Sequence, residues 1–192
     1  MNPIFEHKPE TGIGYCKEDF LNNFLHICEK HKNQKRAKSF ALILYDFHNK
    51  ALRNLIKDFG AFIKLDRLSG KDISVFYLDS ENQSSIATFN YIFSNAFEVD
   101  ENTKKPFVIF FNVKDDDVKD VNIIELEQSN LLLAFQELHS TFENYLMCLN
   151  DKNAESMKPK FLKIVSKVGS ISLDKLMGIL LEVGAKKLGI DI

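Results

Sequence analysis

The residues best placed for chemistry follow the first strongly apolar segment of the chain. Phe40–Phe47 is short and almost wholly apolar, which is typical of a β-strand that is buried on both faces. Asp46, His48 and Asn49 stand at its carboxyl end, where α/β folds tend to place ligands. His48 is the best single candidate there for an active role. The plainer interpretation is that His48 is a polar residue at the start of a helix.

A second group of residues could ligate a metal. Cys28 and His31 are three residues apart, so they could share one face of a helix. His26, Cys16 and His7 lie nearby in the sequence, but zinc needs about four convergent ligands and these spacings match no familiar site. We therefore predict a core cysteine at position 28, a surface histidine at position 31, and no metal or other cofactor.

Other motifs fail when their spacing is checked. The acidic loop Lys114–Asp120 lacks the central Gly and the final Glu that an EF-hand calcium loop requires. Ser69-Gly70-Lys71 is similar to the end of a phosphate-binding loop, but it precedes a strand, so no helix N-terminus would face a phosphate. The chain has no Gly-x-Ser-x-Gly, the nucleophile motif of α/β-hydrolases.

The elements that must position these residues alternate between strands and helices. Strands are predicted over Phe40–Phe47, Ile73–Leu78, Phe107–Asn112 and Val121–Leu126, with helices over about residues 18–35, 49–68, 84–97 and 131–149. The first two strands flank a helix and should pair in parallel, and the last two flank a short polar loop and should pair antiparallel. Residues 1–15 hold two prolines and two glycines, which favours an irregular lead-in.

The element order β-α-β-α-β-β-α over residues 40–149 resembles that of the thioredoxin-like fold. Pro106 strengthens the resemblance, because thioredoxin-like proteins carry a cis-proline at the start of the strand that opens the hairpin, and Pro106 stands directly before FVIFF. The resemblance implies a mixed sheet, a cis Lys105–Pro106 bond, and a functional rim that includes Pro106 together with Asp46, His48 and Asn49.

The chain departs from redox-active members of that family at the decisive place. Thioredoxins have Cys-x-x-Cys just after the first strand of this pattern, where a helix N-terminus activates the thiol. Here the stretch is Asp46-Phe47-His48-Asn49-Lys50, without cysteine. The resemblance therefore implies a redox-inactive member, and the fold alone does not specify a function.

The C-terminal segment is the other unusual part of the chain. Residues 150–160 are polar and read as a linker, and residues 161–192 are predicted to form two helices broken at Gly169-Ser170. The second helix carries an apolar stripe at helical spacing, which consists of Leu173, Leu176, Met177, Leu180 and Val183. Over residues 157–192, seven lysines stand against three acidic residues, so this stretch is basic. It could pack on its own domain or a second copy, bind a partner, or lie on an anionic membrane.

Composition narrows the class of protein without naming an activity. The net charge of −2 argues against a surface adapted to nucleic acid, and three widely spaced cysteines fit reduced thiols in the cytoplasm. We expect an N-terminal lead-in and helix (1–39), a thioredoxin-like domain (40–149), and a linker with an amphipathic helical tail (150–192). The expected function is a non-catalytic interaction or scaffold module that binds a protein partner or itself through the tail. The alternatives are an enzyme that uses the rim on a small molecule or nucleotide, and an effector that acts on a membrane through the tail.

Overall fold

The computed structural model describes residues 1–9, 13–114, 117–126, 131–150, 164–172, 175–176, 178–179 and 182. The strands are β1 (Asn2–Phe5), β2 (Tyr15–Cys16), β3 (Ser39–Leu44), β4 (Ile73–Asp79), β5 (Phe107–Lys114), β6 (Asp117–Glu125) and β7 (Ile164–Ser172). The helices are α1 (Lys17–Asn22), α2 (Phe24–Asn33), α3 (Lys50–Lys57), α4 (Phe59–Ser69), α5 (Gln83–Ala96) and α6 (Leu131–Asn150).

The strands form one mixed sheet in the order β2-β1-β4-β3-β5-β6-β7. Strands β3 and β4 pair in parallel and β5 and β6 pair antiparallel, which confirms both predicted pairings. Strand β3 is central and every one of its residues is buried, as its apolar sequence predicted. The α/β class with a mixed sheet is therefore confirmed. The Lys105–Pro106 bond is cis, as expected.

Phenylalanine side chains fill the core on both faces of the sheet. On one face, Phe111 of β5 contacts Phe24 of α2 and Phe97 of α5, with ring centroids 5.8 and 5.0 Å apart. The preceding residue of the strand, Phe110, points to the other face and packs against Phe142 and Tyr145 of α6. Successive side chains of a strand point to opposite faces, so consecutive phenylalanines serve both layers.

The N-terminal segment is more ordered than its sequence predicted. Asn2–Phe5 is a strand that pairs in parallel with β4, so the expectation of an irregular lead-in is wrong there. These four residues form backbone hydrogen bonds with β4, whose N–H and C=O groups would otherwise be unpaired at the edge of the sheet. The predicted helix over 18–35 is divided at Asn23, and the one over 49–68 is divided at Asp58. Asp58 makes the second break because its side chain accepts a hydrogen bond from Ala61 N at 2.8 Å and caps α4.

The C-terminal segment also departs from expectation. Ile164–Ser172, predicted as most of a helix with its break, is strand β7, antiparallel to β6. Its β-branched residues suit a strand, and β6 would otherwise leave its ladder groups unpaired at that edge. Beyond it, residues 175–176, 178–179 and 182 are helical, and Leu176 is fully buried in the core. The other stripe residues (Leu173, Met177, Leu180 and Val183) and the linker over 151–160 lie outside the described residues.

Two local predictions are also corrected. The residue types of Ser84 and Ser85 favour either as the cap of the helix predicted over 84–97, but the N-cap of α5 is Asn82, whose side chain accepts hydrogen bonds from Ser84 N and Ser85 N. The acidic loop is shorter than expected, because Asp117 and Asp120 belong to β6. Asp120 has a left-handed backbone, with φ of 55°, where the register between β5 and β6 shifts. Among the described helices, none is long and apolar enough to cross a membrane.

Candidate functional site

The predicted rim residues come together at one edge of the sheet. Strand β3 ends at Leu44, which pairs with Phe107 at the start of the antiparallel β5, so Pro106 lies beside the segment that carries Asp46. Lys105 Nζ stands 3.8 Å from the Asp46 carboxylate. Asn49 caps α3, because its side chain accepts a hydrogen bond from Leu52 N at 3.0 Å. The rim therefore brings together Asp46, Asn49 and Pro106, and the adjoining His48 is exposed.

His48 has little support for proton transfer. Its Nε2 atom is 3.5 Å from the Gln83 amide nitrogen, a separation at the outer limit of a hydrogen bond. Its ring stands edge-on to Phe47, 5.7 Å between centroids. An amide nitrogen does not orient an imidazole for catalysis as a carboxylate does. Among the residues that the structure describes, we find no carboxylate bonded to His48.

A network of charges that sequence reasoning missed adjoins His48. Arg53 donates to Phe47 O at 3.1 Å and to Glu81 Oε2 at 2.6 Å, and its guanidinium lies 4.2 Å from the centroid of the Phe47 ring. Lys57 forms an ion pair with the other oxygen of the same Glu81 carboxylate. The Glu81 side chain is 72% exposed. The spacing of Arg53 and Lys57 along a helix could have signalled a basic face, but their partner is far away in the sequence.

A polar cluster occupies the same end of strands β1 and β4. Ser80, after β4, donates a hydrogen bond to Glu6, after β1. Lys17 Nζ lies 2.6 Å from Ser85 Oγ in the first turn of α5. The Ser80 hydrogen bond lowers the pKa of the Glu6 carboxyl, and the Lys17 charge acts in the same direction while burial opposes it. Sequence reasoning missed this cluster because residues 1–15 were predicted to be irregular.

Cys16, Cys28 and the buried His31 make structural contacts in this arrangement. Cys28 is fully buried, and burial raises the pKa of its thiol well above the usual value, so the thiol resists ionisation. Cys16 Sγ donates to Glu6 O at 3.7 Å. His31, predicted to be at the surface, is buried: Nε2 lies 2.6 Å from the Tyr15 hydroxyl and Nδ1 lies 2.7 Å from Ser74 Oγ. The side chain of Cys148 lies outside the described residues.

The three comparisons with known proteins leave the site to be interpreted from its geometry alone. The chain matches no protein-family model, no curated protein and no solved structure.

Proposed function

We propose that this chain is a redox-inactive, thioredoxin-like interaction module that binds a protein partner at the rim formed by Asp46, His48, Asn49 and Pro106. The element order β3-α3/α4-β4-α5-β5-β6-α6 supports the resemblance, as does the antiparallel hairpin that begins after Pro106. Cys-x-x-Cys is absent where that family carries it, so disulfide exchange at the rim is not part of the proposal.

One observation carries the proposal: charges of both signs are presented to solvent at the rim while ion pairs hold them in place. Asp46 is 57% exposed beside Lys105, and Glu81 is 72% exposed between Arg53 and Lys57. Such groups steer a partner and fix its orientation more than they supply raw affinity. A catalytic centre, in contrast, usually needs a titrating group in a cleft that excludes water.

We place the interaction at the rim and not in the tail. Leu176, the stripe residue that the structure describes, is fully buried within this chain, and Ile179 packs against the same core. Lys167 lies on strand β7 and not on a basic amphipathic helix. The described part of the tail therefore packs as part of the domain. Fewer of its apolar side chains are then free to contact a second copy or a membrane.

Site-specific photo-crosslinking tests the proposal. In one variant, a photoreactive amino acid replaces the exposed His48. In the control variant, it replaces the exposed Lys71, which precedes the start of β4, the end of that strand away from the rim. We expect a discrete protein adduct from position 48, absent from position 71 and reduced by the charge reversal Asp46→Lys. Equal adducts from both positions, or no adduct from position 48, would refute partner binding at the rim.

A second candidate function is an enzyme that acts on a small molecule at the neighbouring polar cluster. It is favoured by the hydrogen bond of 2.6 Å that Lys17 Nζ donates to Ser85 Oγ, because a neighbouring positive charge stabilises the negative charge that a serine nucleophile develops on its oxygen. A fluorophosphonate probe tests this role. Labelling that Ser85→Ala and Lys17→Met both abolish would support a nucleophile, and an unlabelled native chain would exclude it.

A further inference from the structure

Three basic residues form a stripe along the rim side of α3. Lys50, Arg53 and Lys57 are spaced by three and four residues, which places them on one face of the helix. The buried residues Leu52, Leu55 and Ile56 take the opposite side. We refer to Lys50, Arg53 and Lys57 as the α3 stripe.

The α3 stripe already holds a carboxylate that belongs to the chain itself. Each Glu81 oxygen takes one cation: Oε2 accepts from Arg53 Nη2 at 2.6 Å, and Oε1 pairs with Lys57 Nζ. Arg53 is held independently of Glu81 by the Phe47 carbonyl and the Phe47 ring. Arg53 therefore remains aimed at this point when the carboxylate changes.

Glu81 is well suited to be replaced. Its side chain is 72% exposed, and its ion pair with the exposed Lys57 is weak because water and salt screen charges at the surface. Exchange of this carboxylate for one on a partner would keep both cations paired and release Glu81 to water. Glu81 can thus act as an internal stand-in for a ligand.

We propose that the α3 stripe binds an acidic segment of a protein partner, and that a carboxylate of this segment displaces Glu81 from Arg53 and Lys57. This inference rests on the proposed function and names the chemistry of the partner. An anionic membrane is the weaker match, because membrane-binding basic clusters usually hold four to eight cations. The stripe holds three, interspersed with the carboxylates of Asp46 and Glu81.

Fluorescence anisotropy of a labelled oligoglutamate peptide with the full chain at low salt tests the inference. Glu81→Gln should tighten binding by about two- to fivefold, the size of one exposed ion pair. Lys57→Gln should weaken it. The control Asp72→Asn also removes one negative charge from an ion pair, with Lys38, elsewhere on the surface, and should leave affinity unchanged. Circular dichroism verifies that each variant is folded.

The outcomes separate the inference from the proposed function. If Glu81→Gln and Asp72→Asn tightened peptide binding equally, the cause would be general charge attraction and the inference would be overturned. An unchanged peptide affinity in Lys57→Gln would overturn it as well. Binding to phosphatidylserine vesicles but not to the peptide would also overturn it. If position 48 still crosslinks a partner in any of these cases, partner binding at the rim stands and only the acidic segment is refuted.

Discussion

His31 joins three parts of the sequence through a buried pair of hydrogen bonds. One ring nitrogen faces the Tyr15 hydroxyl on β2 and the other faces Ser74 on β4. A neutral imidazole can donate from one nitrogen and accept at the other, so both contacts are satisfied without a charge. Burial lowers the pKa of His31 from 6.5 to about 4, and the Arg36 and Lys30 charges act in the same direction.

The stability of the protein should therefore depend on pH in acid. The unfolded chain binds a proton at position 31 near pH 6.5, whereas the folded chain binds it only near pH 4. The contribution of His31 is complete above pH 6.5 and is lost progressively as the pH falls towards 4. We expect a loss of about 3 kcal/mol over this interval. Urea unfolding at a series of pH values measures it, and His31→Gln should flatten the profile. An unchanged acid slope in that variant would contradict the prediction.

The cysteines should affect stability and not function. Replacing Cys16, Cys28 and Cys148 together by serine should leave partner binding intact. We expect the free energy of unfolding to fall by about 1–3 kcal/mol, because the Cys28 site is buried and a serine hydroxyl needs a partner there. Chemical denaturation and the crosslink from position 48 measure the two effects. A variant that folds but loses the crosslink would reveal a role for a thiol.

At the scale of elements, caps divide segments whose apolar pattern is continuous. Asp58 ends α3 and caps α4 although the apolar spacing continues from Leu52 to Leu65. Asp58→Ala should cost about 1 kcal/mol, the usual effect of a lost N-cap. Thermal unfolding checks the value. Asp58→Asn, which keeps an acceptor oxygen, should lose much less, and an equal loss in both variants would refute the capping role.

The packing of the tail can be tested at Leu176. Leu176→Ala should lower the free energy of unfolding by about 2–5 kcal/mol, because the side chain is fully buried in the core. Gly178→Ala serves as the control: among the described residues, a Cβ there meets no atom within 4 Å, so the effect should be neutral or slightly stabilising. If Leu176→Ala left stability unchanged and altered only the mass in light scattering, the side chain would serve assembly instead.

The elements that sequence could predict are those whose pattern is local. The apolar runs in β3, β4 and β5 indicate buried strands without knowledge of their neighbours. Strand β1 has only four residues, and it is defined by pairing with β4, some 70 residues away. Strand β7 was mistaken for a helix because its lysine and apolar residues also fit a helical period. Tertiary pairing with β6 decides between the two.

The same reasoning explains which residues of the rim could be predicted from the sequence. Asp46, His48 and Asn49 are adjacent and follow an evident strand, so the order of residues locates them. Glu6 and Ser80 meet only because β1 lies beside β4. Arg53 and Glu81 meet only because the loop after β4 reaches α3. To predict contacts between residues so far apart in sequence, one must know the order of the strands in the sheet. A local sequence pattern does not contain that order.

At the scale of the whole molecule, strands β1 and β7 extend the sheet beyond the predicted central domain on both sides. We therefore expect one cooperative unfolding transition. Urea unfolding followed by circular dichroism and by tyrosine fluorescence should give coincident curves. The chain has no tryptophan, so buried tyrosines such as Tyr45 and Tyr77 report on the core without interference. Two separate transitions would show that residues 1–39 or the tail unfold independently.

The position of β1 has a consequence for the order of events at the ribosome. Asn2–Phe5 is synthesised before its neighbour β4, which begins only at Ile73. At about 5–20 residues per second, the strand waits roughly 4–14 s for that partner. During this interval, Ile4, which is fully buried in the folded protein, has no neighbouring strand to pair and pack with. The nascent chain thus exposes an apolar strand early, where a chaperone at the tunnel exit would find it.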